Sequence, residues 1–422
     1  MPFDHYKKHP KIEFKKWQVI DKIGQNIYLI SKNKMSSQPS FPCPQCNAQL
    51  VWNPAVGKLV CEYCGYSVKP QDNQVVLSPQ QGERKADTTG QPNQAHIQEY
   101  DLFMFLRNAE AQKRHGYGVE VKRIICNNCG ASLNIEPYIK ATQCSFCGSS
   151  TIIEEKSQDA SILTPESLVP FVVDRTKAFS TYKAWLKRGW FHPDDLKKRA
   201  TQAHLNGVYL PFWTFDAKVY SKWRAEAGHY YYKDESYYVS SGGRRERRTR
   251  RVRKVRWTPV SGEHRGFYDD VLVHATASIS PQMLERVYPF DTKSLVPYNP
   301  GYLSGWSAEN YRINIQQGWE IAQGKIYSME IMACAQKIHA DTYRDLSVAS
   351  TYSDVTFKLV LLPVWISSYI YKGKTFQFLI NGQTGKIYGK KPISAAKVAL
   401  AIIIGLLIIS AIVLFFKFFI YS

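Results

Sequence analysis

The sequence predicts an α+β protein in which two small cysteine-rich modules precede a larger mixed domain with antiparallel strands, and one membrane-spanning helix closes the chain. Three observations carry that expectation. Eight of the nine cysteines fall into Cys-x-x-Cys pairs repeated at a fixed interval. Blocks of aromatic and β-branched alternation are separated by helical periodicities, which favours α+β over a doubly wound parallel sheet. A long uncharged apolar run lies at the C-terminal end. At 422 residues and 44% hydrophobic the chain suits two or three domains with packed cores, which excludes wholesale disorder.

The cysteine repeat comes first along the chain. Cys43, Cys46, Cys61 and Cys64 recur as Cys126, Cys129, Cys144 and Cys147, each displaced by 83 residues, and Gly65 and Gly148 follow the second pair of each set. Four thiolates in this spacing suit tetrahedral Zn²⁺, and a trailing Gly supplies the positive φ that completes a knuckle. The expectation is two zinc ribbons, each holding one structural Zn²⁺. Four thiolates leave no open coordination position, and about 30 residues are too few to fold on a core alone, so zinc would supply folding energy. Redox Cys-x-x-Cys chemistry is the competing reading, but four such pairs do not resemble one thioredoxin-like site. No apolar leader opens the sequence, so the cysteines read as reduced and cytoplasmic.

The expected boundaries are 1–36 for an N-terminal segment, 37–70 for the first ribbon and 71–120 for a polar linker plus helix. The second ribbon follows at 121–155, the α+β domain at 156–392 and the transmembrane helix at 393–418. The linker is polar over 71–94, and a helix over about 95–115 would present Leu102, Phe105 and Leu106. In the large domain, helical spacing marks about 177–188, with Ala178, Tyr182, Trp185 and Leu186 on one side. Residues 208–279 read as a meander of strands, Ser280-Pro281 as a helix start, and Ile315 to Ala333 as an amphipathic helix. Residues 356–371 and 375–380 alternate like strands, with turns at Gly373 and Asn381-Gly382. The phrases Tyr209-Leu-Pro-Phe-Trp213 and Leu361-Leu-Pro-Val-Trp365 each read as the start of a strand with a tryptophan packing anchor.

Charge is the second signal. The chain has 55 Lys and Arg against 35 Asp and Glu, a formal +20, which points to acidic partners and not to a fold. Much of the excess lies in Arg244, Arg245, Arg247, Arg248, Arg250, Arg251, Arg253, Lys254 and Arg256, against the lone Glu246. This run follows Ser241-Gly242-Gly243 and reads as the return strand of a solvated hairpin opened by Tyr237-Tyr238-Val239. It would bind anionic lipid headgroups, nucleic acid or nothing.

The apolar run covers residues 398–416, between Lys397 and Lys417. At about 1.5 Å per residue it reaches roughly 28 Å, enough to cross the hydrocarbon core. Lys386, Lys390, Lys391 and Lys397 precede it, so the positive-inside rule leaves the N-terminal domains in the cytoplasm.

Catalytic signatures are weak. Gly373-Lys374-Thr375 resembles the end of a phosphate-binding loop, but Ser368 stands where the first Gly belongs. Asp269-Asp270 makes no dyad by itself, the ten His are scattered, and Cys334 reads as a small packed residue.

With these residues in view, the chain resembles a bacterial family of membrane-anchored double zinc-ribbon proteins. The resemblance rests on both cysteine sets, Val255-Arg-Trp-Thr-Pro-Val-Ser-Gly262, Asp269-Asp-Val-Leu-Val273 and Leu295-Val-Pro-Tyr-Asn-Pro-Gly-Tyr302. It continues in Leu361-Leu-Pro-Val-Trp365, Asn381-Gly-Gln-Thr-Gly385 and the terminal span. Members are often labelled as similar to primosomal protein N-prime, a replication-restart superfamily II helicase. This sequence has neither the ATP-binding loop nor the acidic Mg²⁺ motif of a helicase, so the label implies no such activity here. A looser similarity to zinc-ribbon anchors that recruit phage-shock-type stress proteins implies an adaptor role. The resulting expectation is a non-enzymatic scaffold at the bacterial inner membrane with a protein partner. A membrane-tethered nucleic-acid-binding protein is the alternative, and an enzyme with an unrecognised site in 156–392 is the third reading.

Overall fold

The computed structural model describes residues 41–70, 97–108, 122–127, 131–135, 144–146, 149, 152–155, 163–196, 205–241, 244–372 and 374–421. It is a mixed α+β molecule with one large mixed sheet, a small antiparallel sheet and one C-terminal apolar helix.

The small sheet holds β1 (Leu50–Asn53), β2 (Lys58–Cys61) and β3 (Ser67–Val68), with Leu50 opposite Cys61 and Asn53 opposite Lys58. Leu50, Trp52, Leu59 and Cys61 are buried, which is period-two alternation facing one side. β4 (Tyr100–Asp101) leads into α1 (Leu102–Arg107), where Asp101 caps the Met104 N–H at 2.7 Å. Of the helix expected over 95–115, only Leu102–Arg107 is helical among the described residues: 97–99 are irregular, Tyr100–Asp101 is extended, and 95–96 and 109–115 lie outside the described residues. β5 (Lys122–Cys126), β6 (Ser132–Ile135) and β7 (Ile152–Glu155) form an antiparallel set with β5 in the middle. After β8 (Ser167–Leu168), α2 (Arg175–Lys187) starts at Asp174, which accepts from the Lys177 N–H. It buries Ala178, Tyr182 and Leu186 at four-residue steps, as the sequence spacing predicts.

β9 (Asn206–Ser241) and β10 (Arg244–His274) differ from the expected meander. They are two very long strands of a single hairpin, paired from Ser241–Arg244 down to Phe212–His274, with one bulge between Tyr268 and Val271. Two glycines within the hairpin are covered by cross-strand tryptophans. Trp223 lies over Gly262 and Trp257 over Gly228, where an added Cβ would meet the rings at 2.6 and 2.7 Å.

α3 (Pro281–Val287) begins after Ser280 as expected. β11 (Val296–Pro297) and β12 (Ser307–Glu309) follow, and then α4 (Ile315–Ala335), opened by an Asn314/Gln317 capping box. β13 (Thr342–Tyr371) pairs antiparallel with β9 from Thr342–Gly228 to Ile366–Asn206. β14 (Lys374–Asn381) pairs with β13, β15 (Ile387–Gly389) pairs with β14, and α5 (Ala395–Tyr421) ends the described chain. β6 joins the large sheet through β12.

The two Pro-Trp phrases lie side by side in adjacent central strands, with Pro211 opposite Leu361 and Pro363 opposite Tyr209. Central strands rarely tolerate proline, because it cannot donate to a ladder. Here each proline sits where the outer neighbour changes. β12 ends beside Tyr209 and β10 begins at Phe212; β8 ends beside Leu361 and β14 begins at Val364. The missing N–H therefore falls in a gap between strands. The carbonyls on that side are satisfied by Ala275 N–H at 3.0 Å and Gly382 N–H at 2.8 Å.

Alternation sends the sheet's side chains into two layers. Tyr209, Leu361 and Trp365 pack with α2 and the first cysteine module, including Phe41, Leu50, Trp52 and Leu59. Val208, Leu210, Leu362 and Val364 pack on the other side with α3 and the second module, including Ile124, Leu133 and Phe146. A further cluster under α4 holds Trp213, Phe215, Trp319 and Ile326.

Within residues 395–417 of α5 the most apolar 18-residue stretch has mean hydropathy 3.2 and is not buried, so the helix is long and apolar enough to cross a membrane. Its start is tied to the loop after α2. Lys397 Nζ reaches the His192 carbonyl at 2.9 Å and Asp194 at 2.7 Å, and Ser394 N–H donates to Phe191 at 2.8 Å. Trp190, Phe191 and Ile393 are exposed beside it.

Candidate metal centre and basic hairpin

Cys43, Cys46, Cys61 and Cys64 converge with all four sulfurs within 4.8 Å of one another, close enough to bind one metal ion. Cys43 and Cys64 approach to 3.5 Å, and Cys46 and Cys61 to 3.4 Å. A tetrahedron with metal–sulfur bonds of about 2.3 Å has edges of roughly 3.8 Å, so these sulfurs need little movement. Backbone geometry makes the site. Cys43 N–H donates to Ala48 O and Asn47 N–H returns to Cys43 O; Cys61 N–H donates to Tyr66 O and Gly65 N–H to Cys61 O. The residue after each knuckle has positive φ, 60° at Asn47 and 77° at Gly65. The Cys64 backbone N–H is the largest influence on the Cys61 thiol and lowers it to about 7, against the opposing effect of burial. Cys46 moves the other way. The Ala48 N–H pulls it down, but the facing Cys61 sulfur, burial and the other two thiols push it up to about 12.

The second module repeats the knuckle signature where it is described. Cys126 N–H donates to Ala131 O at 2.9 Å and Cys144 N–H to Ser149 O at 2.8 Å, the same five-residue step as in the first. Cys126 and Cys144 are buried in the core; Cys129 and Cys147 lie outside the described residues.

The first module is docked by the phrase around Tyr302. Trp52 meets Tyr302 edge-on at 4.7 Å, Trp306 Nε1 donates to Trp52 O at 3.1 Å, and Asn299 Nδ2 donates to Pro70 O at 3.0 Å. Ser304 Oγ donates to Leu50 O and accepts from Gln49 Nε2 at 2.6 Å.

The basic run forms the return strand of the hairpin, with Arg247 opposite Tyr238 and Arg253 opposite Tyr232. β13 stops at Gly228, so 13 residues of each strand, 229–241 and 244–256, extend past it as a two-stranded ribbon. At about 3.4 Å per residue this ribbon is roughly 44 Å long. Opposed residues share a face, which sorts the cations into two sets. Arg245, Arg247, Arg251 and Arg253 share one face with Tyr230, Tyr232 and Tyr238; Arg248, Arg250, Lys254 and Arg256 share the other with Tyr231, Tyr237 and Glu235. Arg253 stacks on Tyr230 at 4.4 Å, Arg251 on Tyr232 at 4.7 Å, and Arg250 and Arg256 on Tyr237 and Tyr231 at 5.6 Å. Lys254 pairs with Glu235 at 2.5 Å and Arg248 with Glu246 at 3.3 Å. Among the described residues no carboxylate pairs with Arg245, Arg247, Arg251 or Arg253. Arg244 opens β10, and its side chain lies outside the described residues.

Two buried polar clusters escaped the sequence reading. Glu330, fully buried on α4, accepts from Ser221 Oγ and Tyr268 OH at 2.6 Å each, and pairs with His264 Nδ1 at 3.0 Å. Burial pushes its carboxyl up, but the three donors outweigh it and the net shift is downward. Cys334 packs one turn further on and is fully buried, as a small core residue. The signal was an acid in the apolar phase of α4, after Trp319, Ala322 and Ile326, matched by Gly266, where a Cβ would lie 2.6 Å from Glu330 Oε1. In the other cluster, Lys358 bridges Glu99 at 2.7 Å and Asp270 at 2.8 Å, and Asp216 accepts from the Asp270 N–H at 2.6 Å. Asp270 has φ of 51° at the β10 bulge, which turns an adjacent acid pair into a bulge clamp.

Fold and site define an α+β protein with a four-cysteine cluster able to bind metal and a helix able to span a membrane. Among known proteins, the uncharacterized protein YdjG of Bacillus subtilis (strain 168) is similar to it, 27% identical over 242 residues. That alignment covers 56% of this chain and 66% of the relative's length. No family model matches, and no solved structure matches.

Proposed function

We propose that this protein is a non-enzymatic scaffold of the bacterial inner membrane, anchored by α5, folded around two structural Zn²⁺ ions, and presenting a basic cytoplasmic surface that recruits a protein partner. The observation that carries the reading is the separation of anchor and hairpin. The start of α5 sits beside the loop after α2 and the β14 end of β13, whereas the Arg/Tyr ribbon leaves from the opposite end of the same strands. β9 alone has 36 residues, a contour of up to roughly 120 Å. The anchor end supports a membrane seat. Exposed Trp190 and Phe191 flank α5 in the manner of interfacial aromatics, and Lys386, Lys390, Lys391 and Lys397 gather on the side that the positive-inside rule assigns to the cytoplasm. Sulfur-only ligand sets suit zinc held for structure.

The test is capture of the full-length protein from detergent-solubilised native membranes, split into nuclease-treated and untreated halves. A protein partner retained in both halves supports the scaffold. Turnover of a substrate that survives purification and disappears in a site variant overturns it. Metal analysis tests the zinc separately: two Zn²⁺ per chain are expected, falling to one in a Cys61→Ser/Cys64→Ser variant.

A further inference from the structure

We propose that the free ribbon of the β9–β10 hairpin is an arm that enters a groove of double-stranded nucleic acid. The proposal relies on the scaffold reading only for placing the ribbon on the cytoplasmic side; duplex binding by the purified chain stands or falls without it.

Four features select this ligand. The first is shape: the ribbon is two strands wide and about 44 Å long with no third strand among the described residues, and a major groove about 12 Å wide admits a two-stranded β-ribbon. The second is the distribution of charge. Cations occupy both faces, Arg247, Arg251 and Arg253 on one and Arg250, Lys254 and Arg256 on the other. A planar anionic surface engages one face of a ribbon, whereas a groove has phosphates on both walls. The third is the aromatic side chains. Tyr230 and Tyr232 each carry a guanidinium stacked on the ring, at 4.4 and 4.7 Å. Those rings position arginine forks, which suits phosphate and base-edge contacts, and are not left free as the stacking platforms a single strand uses. The fourth is placement and composition at the tip. Val239 is the one apolar residue among the three that precede the turn, the exposed Tyr237 and Tyr238 beside it carry polar hydroxyls, and the ribbon points away from the start of α5.

The two faces are unequal, which sharpens the test. Glu235 takes Lys254, with Arg250 at 3.9 Å, and Glu246 takes Arg248, whereas Arg245, Arg247, Arg251 and Arg253 have no carboxylate partner among the described residues. The unpaired face should therefore release more counterions on binding.

The experiment uses the full chain in detergent and a fluorescein-labelled DNA duplex two helical turns long, followed by anisotropy between about 50 and 200 mM salt. Affinity should fall linearly with salt on logarithmic axes. Arg245→Gln/Arg247→Gln/Arg251→Gln/Arg253→Gln should weaken binding at least about tenfold and flatten the slope by about 3. The matching set on the other face should weaken it less. Tyr230→Leu/Tyr232→Leu keeps every charge and should cost a few-fold in affinity at unchanged slope, because only the positioning of the guanidinium groups is lost. Unchanged metal content and melting temperature establish that each variant is folded. The proposal is overturned if the first quadruple variant binds the duplex as tightly as the parent. Equal or tighter binding of a single strand of the same length also overturns it. So does a variant that loses binding only to phosphatidylglycerol vesicles, which assigns the ribbon to lipid.

Discussion

Below Gly228 and Trp257 the β9–β10 pair is flanked by β13 and roofed by α4; beyond them, among the described residues, the same two strands pair only with each other. In the lower part Trp213, Phe215, Ala217 and Val219 alternate into a core and are almost wholly buried. In the upper part both faces carry Arg and Tyr, and Tyr238 is 69% exposed. Burying a large apolar side chain contributes about 1.5–3 kcal/mol, whereas an exposed cation–π stack contributes about 0.5–1 kcal/mol. One continuous pair of strands is therefore held by hydrophobic burial at its base, and at its end by cross-strand stacking with little stability to spare. The contrast implies that the base sequence answers to folding and the end sequence to whatever it touches.

The largest expected effect lies at the base. Trp213 is fully buried, and its Nε1 donates to the Ile313 carbonyl at 2.9 Å. Trp213→Ala should cost about 3–5 kcal/mol in denaturant unfolding. A cost below about 1 kcal/mol would break the claim that burial governs this half.

Glu330 gives the next largest. Glu330→Gln leaves an amide N–H₂ facing Ser221, Tyr268 and His264, all of which point donors inward, and should cost about 1–3 kcal/mol. The pH sign follows from its lowered carboxyl. The stabilisation is present above the ordinary carboxylate value and is lost as pH falls through the lower folded value. The variant should lose that acid-side dependence, as read from melting temperature against pH.

Asp216 has the opposite sign. Burial is the main cause that raises its carboxyl to about 7, with the neighbouring Glu99 adding to it and the Asp270 N–H opposing. Such a group favours the folded state at low pH and weakens it as pH rises from about 4 to about 7. Asp216→Asn mimics the protonated form: its oxygen still accepts from Asp270 N–H and its amide faces Glu99. The stability profile over that window should flatten. An unchanged profile would place the titration elsewhere.

Much of this was legible in the sequence, and the exceptions have physical causes. The 83-residue repeat marks the first cysteine cluster, because ligand spacing is a local property. The apolar run announced α5 for the same reason. α2 and α4 followed from periodicity. The hairpin's length did not. Gly228, Gly262 and Gly266 carry no local sign of their role, and only their partners across the fold, Trp257, Trp223 and the Glu330 carboxylate, reveal them as contact sites. Likewise Pro211 and Pro363 mark places where the neighbouring strand changes, a fact about sheet order that no single strand encodes. The Glu330 cluster unites residues 109 apart in the chain, and local reading sees only an ill-placed acid.

The smallest effect on stability is expected at the free end, and it is the sharpest test of the contrast. Residues 234–251 can be removed and Lys233 joined to Val252, its register partner, through Asn-Gly, whose type I′ turn suits a two-residue hairpin. The excised part contains no residue of the buried clusters. Its interactions are exposed stacks and ion pairs such as Arg251–Tyr232, Arg250–Tyr237 and Arg248–Glu246. Surface changes of this kind usually stay within about 0.5 kcal/mol. The trimmed protein should therefore melt with the parent and keep its metal, while its affinity for a DNA duplex collapses. A drop of more than about 2 kcal/mol would mean that the ribbon supports the fold after all, since hydrophobic burial would then be needed to explain it. Retained stability with retained duplex binding would move the nucleic-acid contact off the hairpin and onto the rest of the basic surface.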